Sequence, residues 1–197
     1  MAADAGKERL MRKAMRRGII FLALAALTGT VWGAGLSFTL KAGHFFPADS
    51  LFRDVYKGGL VFGGELAVPV AGVLHLWAGA ELFGKTGLLS LSEEETKLRI
   101  IPLYLGLRCH FGKSRVRPYI GAAAAYFLFK EENALGSVSE SGLGFLGQAG
   151  LLAGLGGSVW LDVFVNYRAC TLKTEGEDPL EAKLDGISAG LGLVFRF

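Results

Sequence analysis

The strongest constraint in this chain is an apolar alternation of period two that recurs from residue 35 to residue 197. A period of two places successive side chains on opposite faces of an extended strand. In "LSFTLKA" (36 to 42), Leu36, Phe38, Leu40 and Ala42 point one way and Ser37, Thr39 and Lys41 the other. In "LHLWAGAEL" (74 to 82) the leucines and alanines oppose His75, Trp77, Gly79 and Glu81. In "VWLDVFVNYRA" (159 to 169) Val159, Leu161, Val163, Val165 and Tyr167 oppose Trp160, Asp162, Phe164, Asn166 and Arg168. One face is uniformly greasy, while the other carries charges, amides, glycines and aromatics.

Eight such segments are predicted, at 35 to 46, 58 to 70, 73 to 83, 97 to 111, 117 to 130, 143 to 156, 159 to 172 and 183 to 197. They exceed the usual globular strand of ~5 to 6 residues and reach the ~9 to 11 that a tilted strand needs to cross hydrocarbon. Short turns at Ala71-Gly72, 112 to 117 and Gly157-Ser158 alternate with connections expected to be about 10 to 13 residues long. Short turns on one side and long loops on the other are the asymmetry of a transmembrane barrel with periplasmic turns and external loops. The fold class expected for residues 34 to 197 is therefore all-β: an eight-stranded antiparallel up-and-down transmembrane β-barrel with both termini on the periplasmic side.

Residues 1 to 33 read as a signal peptide. Lys7, Arg9, Arg12, Lys13, Arg16 and Arg17 precede the apolar run 18 to 32, and Val31 and Gly33 fit the −3 and −1 positions of a cleavage site. An uncleaved anchor is the alternative. Removing the leader takes six of 21 basic and two of 18 acidic residues and leaves a net charge of −1. The pI of 8.9 thus belongs to the leader, and no nucleic-acid partner is expected.

A mean hydropathy of +0.40 combined with 29 glycines is unusual for a soluble enzyme, since glycine averages ~7% of residues. The uncharged stretch 141 to 161 is long enough for a membrane helix, but its seven glycines oppose one at ~1 kcal/mol each. "GLGFLG" (142 to 147) matches a dinucleotide loop in letters only, because no strand-to-helix context surrounds it.

The inward polar set comprises Lys41, Glu65, Glu81, Tyr104, Arg108, His110, Gln148, Asp162, Asn166, Arg168 and Arg196. An eight-stranded cylinder is just wide enough for side chains to fill it, and buried ions need partners. A lumen charge network of Lys41, Glu65, Glu81, Arg108, Asp162, Arg168 and Arg196 is expected as a closed lattice of paired charges, the alternative being a gated proton or ion path made by partner exchange among Glu65, Glu81, Arg108 and Arg168. His44, His75 and His110 have no second ligand at useful spacing, and two of them lie at predicted strand ends, where rings anchor in membrane interfaces. No metal, cofactor or catalytic residue is assigned. Cys109 falls at the bottom of one strand and Cys170 at the top of another, too far apart for the ~7 Å a disulfide allows, so two free thiols are expected. The acidic stretches 90 to 97, 130 to 140 and 173 to 183 occupy predicted external loops, while Lys113, Arg115 and Arg117 mark a basic short turn.

The leader, the eight segments, "IPLYLGLRCHF" (101 to 111), "RPYIGAAAAYFLF" (117 to 129) and the terminal "GLGLVFRF" (190 to 197) resemble the small outer-membrane barrels of Gram-negative bacteria. That group includes the membrane domain of outer membrane protein A and its OmpX-like relatives. The resemblance implies a cell outer-membrane location and contact with outer-membrane lipid and lipopolysaccharide. It also implies an assembly signal at Leu191, Leu193, Phe195 and Phe197, read by the barrel-assembly machinery. Monomeric, porin-like, non-enzymatic behaviour is expected, with an unknown surface ligand on the acidic loops as a further partner. Lipid A deacylases of similar shape carry a His-x-Ser motif, which is absent here, and His44 with Asp49 and Ser50 is the sole candidate for a palmitoyl-transfer group. The functional expectation is a structural or surface-interacting barrel with a filled lumen, against the alternative of a narrow pore.

Overall fold

The computed structural model describes residues 35 to 88, 95 to 112, 114 to 133, 136 to 173 and 181 to 197. The leader, Lys113, and residues 90 to 94, 134 to 135 and 174 to 180 of the acidic stretches lie outside them. In chain order the elements are β1 (Ser37–Pro47), α1 (Ser50–Tyr56), β2 (Gly59–Ala71), β3 (Leu74–Leu88), β4 (Glu95–His110), β5 (Val116–Asn133), β6 (Gly136–Gly156), β7 (Val159–Lys173), β8 (Glu181–Lys183) and β9 (Gly186–Arg196).

Each of the eight long strands pairs antiparallel with its sequence neighbours, and β9 closes the cylinder by pairing with both β7 and β1. The final ladder bond joins the Phe197 N–H to the Leu36 carbonyl at 2.8 Å. Closure satisfies the backbone of every strand within the wall, which hydrocarbon demands because it offers no hydrogen-bond partner. The outward face is apolar throughout, with Leu40, Phe62, Leu105, Ile120, Leu151 and Leu191 each about half-exposed. The tight turns at one end use backbone that only glycine adopts freely: Gly72 and Gly157 both have φ +53°.

At the other end the structure differs from the sequence expectation. Two of the connections predicted to be long are largely ladder: β3 continues to Leu88 and pairs with Glu95, and β5 continues to Asn133 and pairs with Gly136. The charged residues that end the apolar alternation do not end backbone pairing, which is indifferent to side-chain polarity in water. Pairing of β2 with β3 stops at Val61–Phe83 and that of β6 with β7 at Gly144–Cys170. The four strands β3 to β6 therefore rise past the closed wall as one sheet. The upper part of β7 turns instead to the three-residue β8.

The β1–β2 connection contains an unpredicted helix. Asp49 caps α1 by accepting the Phe52 N–H at 2.9 Å. Lys57, at φ 55°, turns the chain back into β2. Cys109 and Cys170 are both free, at opposite ends of their strands.

Candidate functional site: the barrel lumen

The barrel wall presents its second face to a lumen packed with side chains, and their chemistry changes along the axis. At the short-turn end the Trp160 ring lies between two guanidiniums, with Arg196 at 4.2 Å and Arg117 at 4.6 Å from its centroid. Beside it the His75 and His110 rings stack at 4.0 Å. Both histidines face inward, not toward a membrane interface, because the register puts His75 opposite Arg108 on the same side as Trp77. No group of three metal-ligating side chains occurs among the described residues.

The middle of the lumen is organised on Glu65. Its Oε1 accepts from Lys41 Nζ at 2.9 Å, Tyr104 Oη at 3.0 Å and Gln148 Nε2 at 2.9 Å. Its Oε2 accepts from Arg108, which also donates to Gln148. The Arg108 guanidinium is held between Trp77 and Tyr119, 4.4 and 4.6 Å from the ring centroids. Asp162 accepts from Tyr119 Oη at 2.8 Å and lies 3.8 Å from Lys41 Nζ. The Lys41 ammonium in turn sits 3.7 Å from the centroid of Phe164.

A second polar group lies above the first. Glu81 accepts from Asn166 Nδ2 at 2.6 Å and stands 3.4 Å from Arg168, whose Nη2 donates to Ser188 Oγ at 2.6 Å. The two groups together hold three cations (Lys41, Arg108, Arg168) and three carboxylates (Glu65, Glu81, Asp162), none more than 5% exposed. Opposite charges in equal number remove the repulsion that a one-signed lumen would carry, and amides and phenols take up part of the remaining hydrogen-bonding capacity. Arg196 is not part of this lattice. It is half-buried at the mouth against Trp160 and makes no ion pair among the described residues.

Glycines make room for the large lumen side chains. A Cβ on Gly79 would fall 2.7 Å from the Tyr104 ring and 2.6 Å from the Gly64 carbonyl, and one on Gly150 would fall 2.6 Å from Tyr119. The two phenols that brace the carboxylates can therefore lie flat on bare backbone.

Above Arg168 the filling becomes apolar. Phe45, Phe83, Leu98, Ile100, Phe127 and Leu172 are all at most 3% exposed, and α1 closes over them with Phe52 and Tyr56. The Arg168 guanidinium marks the boundary, 4.0 Å from the centroid of Phe45. The Tyr56 hydroxyl meets Thr96 Oγ1 at 3.5 Å, and Thr96 donates to Glu131 at 3.1 Å. Burial pushes the Tyr56 phenol up to about 12, so it remains a neutral donor. This apolar cap was missed in the sequence, although "AYFLF" (125 to 129) and "HFF" (44 to 46), greasy at both parities, carry its signal. The palmitoyl-transfer candidate is not assembled: Asp49 is occupied as a helix cap, and the His44 ring lies tilted against the outward Phe46, with centroids 4.6 Å apart.

The fold and the filled lumen define a small eight-stranded membrane-type β-barrel. No protein-family model and no curated protein matches the chain. Among solved structures it is similar to the outer membrane protein OprG from Pseudomonas aeruginosa, with a TM-score of 0.66, 16% identity and coverage of 83% of this chain and 96% of that one. It is also similar to Neisserial surface protein A (TM-score 0.60, 15% identity, 83% and 97% coverage). A third likeness is to the E. coli outer membrane protein W (TM-score 0.54, 17% identity, 83% and 98% coverage). The fold of this chain is that of the small eight-stranded outer-membrane β-barrels.

Proposed function

We propose that this protein is a non-enzymatic outer-membrane barrel, exported by its leader and closed to solutes. Its role is structural, displaying the sheet of β3 to β6 and its acidic connections at the cell surface. The observation that carries the reading is the doubly filled lumen. A neutral lattice of six buried ions spans its middle and an aromatic cap covers it, so no continuous aqueous route is built into the cylinder. The upper strands add a surface for contacts: beyond Leu143 and Phe83 the sheet has edges unpaired by the barrel wall, and a free edge can receive an extended segment from a partner. The termini belong on the periplasmic side. The terminal strand, with Leu191, Leu193, Phe195 and Phe197, serves as the signal for the assembly machinery, and the barrel stands as a monomer in lipid and lipopolysaccharide.

One observation favours a narrow ion path instead. Glu81 Oε2, Asp162 Oδ2, Asn166 Oδ1, Arg108 Nε and two Arg168 nitrogens are buried without a hydrogen-bond partner among the described residues, and water linking them would form a chain along the lattice. Recordings in planar bilayers of wild type beside Glu65→Gln and Arg108→Gln decide between the two. A silent wild type is expected, and steady step-like conductance from it would sink the closed-barrel reading.

A further inference from the structure

The outward face of the upper sheet carries a group of cations that neither the lumen nor the apolar wall explains. Outward residues on β4 and β5 are apolar up to Ile101 and Leu128 and then change abruptly: the next outward positions are Arg99 and Lys130, directly opposite each other across the ladder. Lys97, the following outward residue on β4, stands opposite Glu132, which is already bound by Lys130. Arg99 thus faces a like charge and makes no direct ion pair among the described residues, a cross-strand arrangement that an anion between the two cations would relieve.

The surroundings suit such an anion. Grooves of about 390 and 410 Å³ flank the Arg99–Lys130 pair. One is lined by Ile101, Leu128, Ser139, Ser141 and one carboxylate, Glu140, the other by Gly84, Thr86, the cations Lys85 and Lys97, and one carboxylate, Glu132, which Lys130 already holds. The two cations are exposed, and so is Ser139, directly opposite Lys130 on β6. Below the pair, Leu103, Tyr126 and Leu143 continue the greasy wall, with Leu143 78% exposed. A ligand seated here therefore meets positive charge and hydroxyls at its head and hydrocarbon along its tail.

Resting on the outer-membrane reading above, we propose that Arg99 and Lys130, assisted by Lys97 and Ser139, bind the phosphate of a phosphorylated glycolipid in the surrounding leaflet. Its acyl chains lie along Ile101, Leu128, Leu103 and Leu143. A free phosphate would use the cations but not the apolar wall directly beneath them. Arginine and lysine at this height also work beside the hydrocarbon boundary, where screening by bulk water is weaker.

The test is a titration of detergent-solubilised, folded protein with diphosphorylated lipid A, read by native mass spectrometry. Wild type, the double variant Arg99→Gln/Lys130→Gln and the distant exposed-cation control Lys183→Gln are compared. The double variant should lose about tenfold or more in apparent affinity, with Lys183→Gln unchanged. Removing the phosphates from the lipid should weaken wild-type binding to a similar degree. Unchanged binding by the double variant, or wild-type binding indifferent to the lipid phosphates, overturns the site. Displacement of the lipid by millimolar inorganic phosphate overturns its assignment to a lipid. Unboiled and boiled gel mobility is checked for every sample. A wild type without a shift overturns the barrel reading and the site with it, whereas a normal shift with unaltered lipid binding overturns the site alone.

Discussion

Around Glu65 the lumen is filled by ions, amides and phenols, whereas a few residues further along the same strands, around Phe127, it is filled by rings and branched aliphatics. Both fillings occupy a cylinder of one construction. The lower one depends on direction, because each donor must find its acceptor and each ion its counter-ion. The upper one depends on volume, and apolar groups of similar size can replace one another at small expense. The lower lumen is accordingly the region where single changes should do most harm, and the upper the region that should tolerate conservative repacking.

The largest expected effect is at the hub. Glu65→Ala strands Lys41 and Arg108 without their shared acceptor and should lower stability by ~3 to 5 kcal/mol, read as a shift in urea unfolding of the lipid-embedded barrel. A loss under ~1 kcal/mol would mean that water reaches the lattice and that the lower lumen is not dry. Next comes Phe127→Ala in the apolar cap, expected to cost about 3 kcal/mol and to leave the bilayer silent, since the lattice beneath still blocks the lumen. Conductance from this variant alone would show that the cap, and not the lattice, is the seal. Gly79→Ala forces a methyl against Tyr104 and the Gly64 carbonyl and should cost about 2 kcal/mol. Rescue by Tyr104→Phe would show that the lattice tolerates loss of a phenol better than displacement of one. The smallest effect is at the lid. Asp49→Ala removes the cap of α1 and should cost about 1 kcal/mol, visible as faster proteolysis of residues 48 to 58 with the barrel's gel mobility unchanged.

Much of the wall could be read in advance because the environment imposes it. A strand with lipid on one side must be greasy at every second position, and Leu36 to Ala42 and Val159 to Tyr167 comply. The same logic marks Lys41, Glu65, Glu81, Arg108, Asp162 and Arg168 as inward, since a charge at that parity has nowhere else to go. Which of them meet was not legible. Glu65 and Arg108 are 43 residues apart, and their contact depends on strand order and register together. Arg196 shows the limit of parity: it occupies the last inward position, where the lumen opens, and the indole of Trp160 takes it up instead of a carboxylate. The upper ends of β3 to β6 escaped for a different reason. Their side chains stop alternating in polarity once both faces meet water, yet the backbone ladder continues. Helix α1 is seven residues long and too short to show a helical period.

The equal count of charges in the lattice has an electrical consequence. A potential of 100 mV does work of about 2.3 kcal/mol on each elementary charge carried through the whole field. Lys41, Arg108 and Arg168 are pulled one way and Glu65, Glu81 and Asp162 the other, and their ion pairs hold them as two groups, Lys41, Arg108, Glu65 and Asp162 in one and Arg168 with Glu81 in the other, each with equal numbers of the two signs. The opposing pulls cancel, so the six-ion lattice has no net gating charge, and a change in voltage gives it little reason to move.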